Sequence, residues 1–167
     1  MDKAELLLII EIAFGRVTLC DGIGLYEAEA IDNYASDKER LKARKKDRES
    51  WKRWDEIPTE VIETFYSALC FVDIKGMRFL LPAYMKFAVN NYKNSDSASV
   101  DSPIYALQSN PVFAETDIDD YFTEEQYEAF AKFLRFMILE AGFDFVDSDG
   151  ASQAYENHWG KYDSDMA

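Results

Sequence analysis

The sequence has few of the residues that build metal centres, disulfide frameworks and nucleophilic triads. It contains two cysteines, Cys20 and Cys70, and a single histidine, His158, in 167 residues. The cysteines show no metal-ligand spacing and lie in apolar stretches, so we expect buried, reduced thiols and a cytoplasmic protein. His158 could serve as a general base for a thiol only within hydrogen-bond reach, and no motif indicates such proximity. The sequence therefore predicts no cofactor and no metal centre, and favours a non-enzyme over an enzyme.

Positive charge is also scarce. The chain has 18 Lys and Arg against 32 Asp and Glu, a formal net charge of −14. Such a surface repels nucleic-acid phosphates and anionic membranes, so a cationic protein partner is the expected one. The apolar run at the start, MDKAELLLIIEIAFG, contains three acids and is too short to span a bilayer. We therefore expect neither a signal peptide nor a membrane helix.

Aromatic residues, in contrast, are abundant. The chain has 12 Phe, 10 Tyr and 3 Trp, which are large units for packing a core. A chain of this length is most simply one domain and can bury enough surface to fold without a disulfide or a metal. We predict a single globular domain over residues 1–143, followed by an acidic C-terminal tail, 144–167, that is partly docked.

Two helix starts carry a capping box, in which a hydroxyl and a carboxyl or amide side chain satisfy each other's backbone amides. Ser36 with Glu39 predicts one start, and Thr123 with Gln126 predicts another. The second helix should run to Ala141 and end at Gly142. Its apolar stripe is supplemented by Phe136 and Leu139 off the main face, so we expect this helix to lie near the centre of the fold.

The stretch 70–81 reads as an antiparallel β-hairpin. Two short apolar runs flank a turn that begins at Asp73 and contains Gly76, a residue able to adopt a positive φ. Pro82 should then end the second strand and begin a helix. The predicted fold class is thus α+β and mainly helical, with about six helices around one short antiparallel β-hairpin at 70–81.

The segment 37–54 has a net positive charge, opposite in sign to that of the rest of the chain. It holds nine basic and four acidic residues, spread around a helical wheel. Basic side chains on all sides of a helix with few apolar anchors are typical of a solvated helix. Two alternatives stay open: intramolecular pairing with the acidic remainder, and contact with nucleic acid through helix 37–54.

The best metal-like pattern lies in the tail. With Gly150 as the sixth position of a calcium loop, Asp147 and Asp149 take positions three and five and Glu156 takes position twelve. The first position is then Phe145, which cannot ligate a cation. We therefore predict no metal site here.

Several segments together resemble a bacterial family catalogued only as a domain of unknown function. The resemblance covers residues 10 to 140 and leaves the tail after Phe143 as the least similar part. It implies a bacterial, cytoplasmic, single-domain protein and brings no activity, cofactor or catalytic residue. The segments that carry it are GIGLYEAEAIDNY, IPTEVIETF, FVDIKGMRFLLPAYMKFAV, DSPIYAL and FTEEQYEAFAKFLRFM.

From these features we expect a small acidic protein-binding module that occludes a cationic partner, as a toxin-neutralising immunity protein does. An enzyme with a distributed, motif-free active site is the alternative. Complementary charge speeds encounter, and a few well-packed residues then hold the complex. The carboxylates predicted to meet the partner are Asp117, Asp119, Asp120, Asp144, Asp147 and Asp149.

Overall fold

The structure is a computed structural model, and it describes residues 1–115 and 117–166. In these residues the chain forms α-helices joined by short 3-10 turns and loops. The helices are α1 Lys3–Phe14, α2 Leu25–Asp32, α3 Asp37–Ser50, α4 Thr59–Thr64, α5 Ile74–Asn91, α6 Ser102–Ser109, α7 Val112–Glu115, α8 Glu124–Phe136 and α9 Ser148–Ala154. A π-helical turn, Met137–Ala141, extends α8, and another, Tyr155–Trp159, extends α9.

The predicted β-hairpin at 70–81 is wrong, since the described residues contain no β-strand and the fold is all-helical rather than α+β. Cys70 is the last residue of a 3-10 turn, Ala68–Cys70, and residues 74–81 form the start of α5. Short apolar runs do not distinguish a strand from a buried helix. Here the apolar run belongs to a helix that is buried on nearly all sides. The run therefore does not need the alternation of apolar and polar residues that marks a half-buried strand.

Asp73 and Gly76 have roles in helix α5 that differ from the predicted turn. The Asp73 carboxylate accepts a hydrogen bond from the Gly76 amide, 2.8 Å away, and so caps the helix. A Cβ at Gly76 would overlap the carbonyl oxygen of Ile23, so glycine is required for close packing and not for a turn. Pro82 lies inside α5 and does not begin a helix.

The longest predicted helix is confirmed at the centre of the fold. The capping box of Thr123 with Gln126 is present, α8 and its π-helical extension reach Ala141, and Gly142 follows with a φ of +70°. α1 packs on both α8 and α5, and the three helices contribute to one hydrophobic core. The other predicted capping box, Ser36 with Glu39, opens α3.

The C-terminal segment packs onto α8 and α6. Trp159 is 4% exposed, and its indole N–H donates to the carbonyl of Leu107 over 2.8 Å. Its ring meets that of Phe130 edge to face, with centroids 5.1 Å apart. Residues 148–163 are therefore in contact with the main hydrophobic core through at least one large side chain.

In the described part of the chain, no helix has the length and apolar character needed to cross a membrane.

Candidate functional site

The six carboxylates predicted to bind a partner fall into two separate groups. Asp117, Asp119 and Asp120 precede α8, whereas Asp144, Asp147 and Asp149 follow its π-helical extension. The 18 residues from 124 to 141 span about 27 Å at 1.5 Å per residue, so the two groups lie near opposite ends of this helix. The structure does not join them into one site.

Two of these carboxylates are engaged by the fold itself. Asp119 accepts a hydrogen bond of 2.7 Å from the Tyr127 hydroxyl, which together with burial raises the pKa of Tyr127. Asp147 caps α9 by accepting from the Gly150 amide over 2.9 Å. Its own amide donates to Asp101, whose pKa is raised by burial and by the nearby charge of Asp147.

The calcium-like pattern in the tail has a structural explanation. Asp147, the third position of that pattern, is the cap of α9, and Gly150 lies in the first turn of the same helix. Among the described residues, no group of three or more His, Cys, Asp or Glu is arranged to hold a metal ion.

The basic helix α3 directs several of its arginines inward. Arg48 donates to the carbonyls of Cys20 and Gly22 at 3.0 and 2.9 Å. Arg40 lies 3.1 Å from the buried carboxylate of Glu27, and Arg44 lies 3.7 Å from the same oxygen. These contacts are the intramolecular pairing that the sequence left open as one alternative. Nucleic-acid contact through the outward lysines of helix 37–54 stays a prediction.

The prediction that both cysteines are buried is wrong. Both thiols are free and both residues are exposed, because each lies in a short turn rather than within a helix. Partial shielding from water and then the charge of Asp32 raise the pKa of Cys70. In the described part of the chain, His158 and Cys70 line two different cavities.

An apolar concavity that the sequence did not predict lies beside the end of α8. We call it the Leu139 groove: it has a volume of about 370 Å³ and runs between α8, its π-helical turn and the C-terminal segment. Its apolar walls are Met1, Phe136, Ile138, Leu139 and Met166. Leu139 is 70% exposed and Met166 is 68% exposed, so the groove is bordered by apolar side chains in contact with water.

The exposed apolar surface continues past the groove. Phe143 is 84% exposed on the turn after Gly142, and Phe145 is 47% exposed. The Phe145 ring meets Tyr92 edge to face at 5.9 Å, and Tyr92 meets the groove residue Phe136 at 6.2 Å. Leu139 lies in the π-helical turn that extends α8, off the face of the helix that meets the core, and its side chain is on the surface.

Among the side chains that line the Leu139 groove, the charged ones without an internal ion pair are both acidic. Glu140 and Glu156 line it and are exposed, and neither forms an ion pair with a described residue. The basic side chain in the wall is Arg135, which lies 3.2 Å from Asp163 and 2.5 Å from Asp165. The Arg135 charge is therefore neutralised from within the chain, and the two glutamates are left to face an incoming molecule.

The pairing of Arg135 is part of a larger clasp, which we call the C-terminal clasp and define as Glu128, Lys132, Arg135, Asp163 and Asp165. Lys132 binds both Glu128 and Asp165, at 3.2 and 3.0 Å. Asp163 is fully buried as a side chain and also accepts a 3.0 Å hydrogen bond from the Tyr155 hydroxyl. The clasp holds the segment that carries Met166, and with it one wall of the groove.

Sequence reasoning missed the groove because its walls come from three separated parts of the chain. One signal was available: Leu139, Phe143 and Phe145 are large apolar residues outside the stripe of α8 that faces the core. Apolar side chains left over after a core has formed are the usual mark of a binding surface.

Comparison with known proteins agrees with the resemblance seen in the sequence. The model of a family of unknown function, DUF6714, matches residues 2–163, which extends beyond the expected 10 to 140 and includes the tail. No curated protein and no solved structure matches the chain. Since the family model covers nearly the whole chain, the protein belongs to this family of unknown function, DUF6714.

Proposed function

We propose that this chain is a protein-binding module whose Leu139 groove receives a cationic, amphipathic segment of a partner protein. The observation that carries the proposal is a set of exposed apolar side chains bordered by carboxylates that have no partner in the described chain. Grooves of this kind bind the apolar face of a helix or extended segment, while charges at the rim select the partner.

The apolar part supplies the affinity. Leu139, Phe143 and Met166 are each more than two-thirds exposed, so a partner that covers them removes apolar surface from water. Covering apolar surface yields about 25 cal/mol per Å², so a partner that buries all three gains several kcal/mol before its ordering cost. Aromatic anchors such as Phe143 are frequent among the residues that dominate binding energy.

The charged part supplies the choice of partner. Glu140 and Glu156 lie in the groove, Asp144 is exposed on the adjoining turn, and Arg135 is neutralised by the C-terminal clasp. A segment with lysines or arginines beside its apolar face therefore meets complementary charge, and an acidic segment meets repulsion.

A module of this type acts by covering a basic surface of its partner, without bond-making of its own. Toxin-neutralising immunity proteins are one functional class that works by such occlusion, and the acidic composition suits that class. In this form of the proposal, the predicted carboxylates Asp144 and Asp149 border the contact surface, and Asp117 to Asp120 lie too far along α8 to share a short segment.

The test uses a synthetic amphipathic peptide of about 18 residues with leucine on one face and lysine on the other, long enough to span the groove as a helix. Binding to the full chain is measured by fluorescence anisotropy at about 0.05 and 0.3 M salt. We expect binding that weakens with salt and falls about tenfold in the double variant Glu140→Lys, Glu156→Lys. The variant Leu139→Asp should reduce binding by a similar factor.

Two matched controls make the result specific. The variant Glu49→Lys makes on α3, remote in sequence from the groove, the same charge change as each single substitution in the groove, and should leave binding within about twofold. A peptide with glutamate in place of lysine should not bind. Equal binding of the two peptides, or full binding by both groove variants with their folds intact, would rule out the proposed function.

A further inference from the structure

A second concavity, with a different chemistry, lies between the 3-10 turn Ala68–Cys70 and α6. It has a volume of about 400 Å³, within the range of small-molecule sites. We call it the Tyr105 cavity and define it by Tyr66, Leu69, Cys70, Ala98, Tyr105 and Ala106. None of these residues lines the Leu139 groove, so the two surfaces are independent.

The polar side chains in the wall are already bonded to the chain. Ser102 donates to the carbonyls of Tyr66 and Ala98, at 2.7 and 3.0 Å. Asn110 donates to the carbonyl of Leu69 over 2.9 Å, and its oxygen accepts from the Val112 amide over 3.0 Å. These groups stiffen the wall and leave little hydrogen-bonding capacity for an occupant.

The wall also contains no charged side chain among its lining residues. A charged ligand would leave water without a charged group in the wall to pair with, which is costly. Carboxylates lie nearby but outside the wall, since the charges of Asp101 and Asp147, after burial, contribute to a raised pKa of Tyr105. An anion is therefore disfavoured twice, by the missing cation and by these neighbours.

The rim offers two aromatic rings. Tyr66 is 57% exposed and Tyr105 is 48% exposed, although both border an apolar cavity. Tyrosine rings at a cavity mouth bind flat apolar molecules at low cost in side-chain entropy, and their hydroxyls remain in contact with water. The exposed parts of these rings are then the surface that a planar ligand would cover.

We infer that the Tyr105 cavity is a binding site for an uncharged, planar aromatic small molecule, inserted between Tyr66 and Tyr105 onto the apolar floor formed by Leu69 and Ala106. The site is separate from the proposed protein-binding groove and does not depend on it.

Three probes of one ring system test the chemical class: indole, which is neutral, indole-3-acetate, which is anionic, and tryptamine, which is cationic. Binding to the full chain is measured by calorimetry and by the rate at which Cys70 reacts with a maleimide in a Cys20→Ser background. Cys70 lines the cavity, so an occupant should slow its modification. We expect indole to bind with a Kd of about 1 mM or tighter and to protect Cys70 at least threefold at saturation.

A matched pair of variants locates the site. Tyr66→Ala removes a rim ring and should weaken indole binding about tenfold. Tyr34→Ala removes a tyrosine that is 96% exposed and outside the cavity, and should change nothing. Ala98→Phe fills the mouth from an exposed position and should abolish protection of Cys70. The inference fails if indole shows no saturable binding up to about 5 mM, if either charged probe binds more tightly, or if Tyr66→Ala, still folded, binds indole as the wild type does.

Discussion

Asp47 on α3 and Gly24 at the start of α2 form one helix cap from two distant parts of the chain. Gly24 has no side chain to offer, and the Asp47 carboxylate accepts instead from the amides of Tyr26 and Glu27 at 2.8 and 2.9 Å. A Cβ on Gly24 would overlap that carboxylate. The carboxylate is fully buried, and burial raises the pKa of Asp47 although both amides act in the opposite direction.

The first prediction is that Gly24 and Asp47 are energetically coupled. Gly24→Ala should lower the free energy of unfolding by about 2 kcal/mol, because the new methyl displaces the capping carboxylate. Asp47→Ala should cost about 2 to 4 kcal/mol, because it leaves two buried amides without acceptors.

The double variant distinguishes a specific clash from general sensitivity at the two positions. Once Asp47 is alanine the carboxylate is gone and only the Cβ of residue 47, 2.8 Å from the new methyl, still overlaps it. Gly24→Ala should therefore cost about 1 kcal/mol less, by urea denaturation of all four proteins. Costs that simply add would show that the Cβ of residue 24 does not meet Asp47.

The second prediction concerns Asp73, which the sequence placed in a hairpin turn. One oxygen of this carboxylate accepts from the amides of Gly76 and Ile23, at 2.8 and 2.9 Å. Asp73→Ala should therefore cost about 2 kcal/mol, since it removes a helix cap and leaves the part-buried Ile23 amide unpaired.

Asp73→Asn is the matched control, because an amide oxygen can accept both bonds, and it should cost less than half as much as Asp73→Ala in chemical denaturation. The negative far-UV circular dichroism band at 222 nm should remain that of an all-helical protein in both variants. An equal loss in the two variants would mean that acceptance by this oxygen is not what stabilises the start of α5.

These cases show what the sequence can and cannot predict about the fold. The bounds of α8 were predictable because its signals are local: a capping box at Thr123 and Gln126, a 3.6-residue apolar period, and Gly142 after the last turn. The start of α5 was not predictable, because an aspartate followed three residues later by a glycine is compatible both with a turn and with a capped helix start. The structure adds contacts with Ile23, fifty residues before Asp73: its amide donates to Asp73, and its carbonyl lies where a Cβ on Gly76 would be.

The same distinction applies to the candidate site. Phe143 and Phe145 could be recognised as surplus apolar residues, and the acidic character of their surroundings follows from composition. The neutralisation of Arg135 by Asp163 and Asp165 could not be recognised from the sequence, because it depends on the C-terminal segment packing against α8. Without that contact the unpaired charge of Arg135 would offset part of the negative charge of Glu140 and Glu156 in the groove.

The third prediction is a dependence of the C-terminal clasp on pH. Hydrogen bonds from Arg135 and Lys132 lower the pKa of Asp165 below its ordinary value of 3.8. A carboxylate with a depressed folded-state pKa stabilises the fold above its unfolded value and loses that contribution as the pH falls through the folded one. Asp165 should therefore contribute at pH 6 and lose its contribution below about pH 3.8.

The measurement compares the unfolding free energies of the wild type and Asp165→Asn across this range. The wild type should be more stable at pH 6, and the difference should shrink as the pH falls below about 3.8 and through the lowered pKa of folded Asp165. Asp144→Asn, which removes an exposed carboxylate outside the clasp, should show no such convergence. A difference between wild type and Asp165→Asn that is constant with pH would exclude the ion pairs as its source.

The fourth prediction tests whether the segment after residue 143 is needed for the stability of the whole chain. Trp159 is almost fully buried against Phe130 and donates its indole N–H to Leu107. Trp159→Ala should lower the free energy of unfolding by about 3 to 5 kcal/mol, because it leaves a large cavity beside α8. Trp159→Phe keeps most of the ring volume but leaves the Leu107 carbonyl without its donor, and should cost about 1 to 3 kcal/mol.

A docked but dispensable tail gives a different result from an integral one. If the segment only docks on a domain that is stable without it, Trp159→Ala makes residues 144–166 sensitive to limited proteolysis. The unfolding transition of residues 1–143 then stays unchanged. If it completes the core, the transition of the whole chain moves to lower denaturant with one cooperative step. We expect the second result, since the Trp159 ring lies in the same aromatic cluster as Phe113, Tyr127 and Phe130, which belong to α7 and α8.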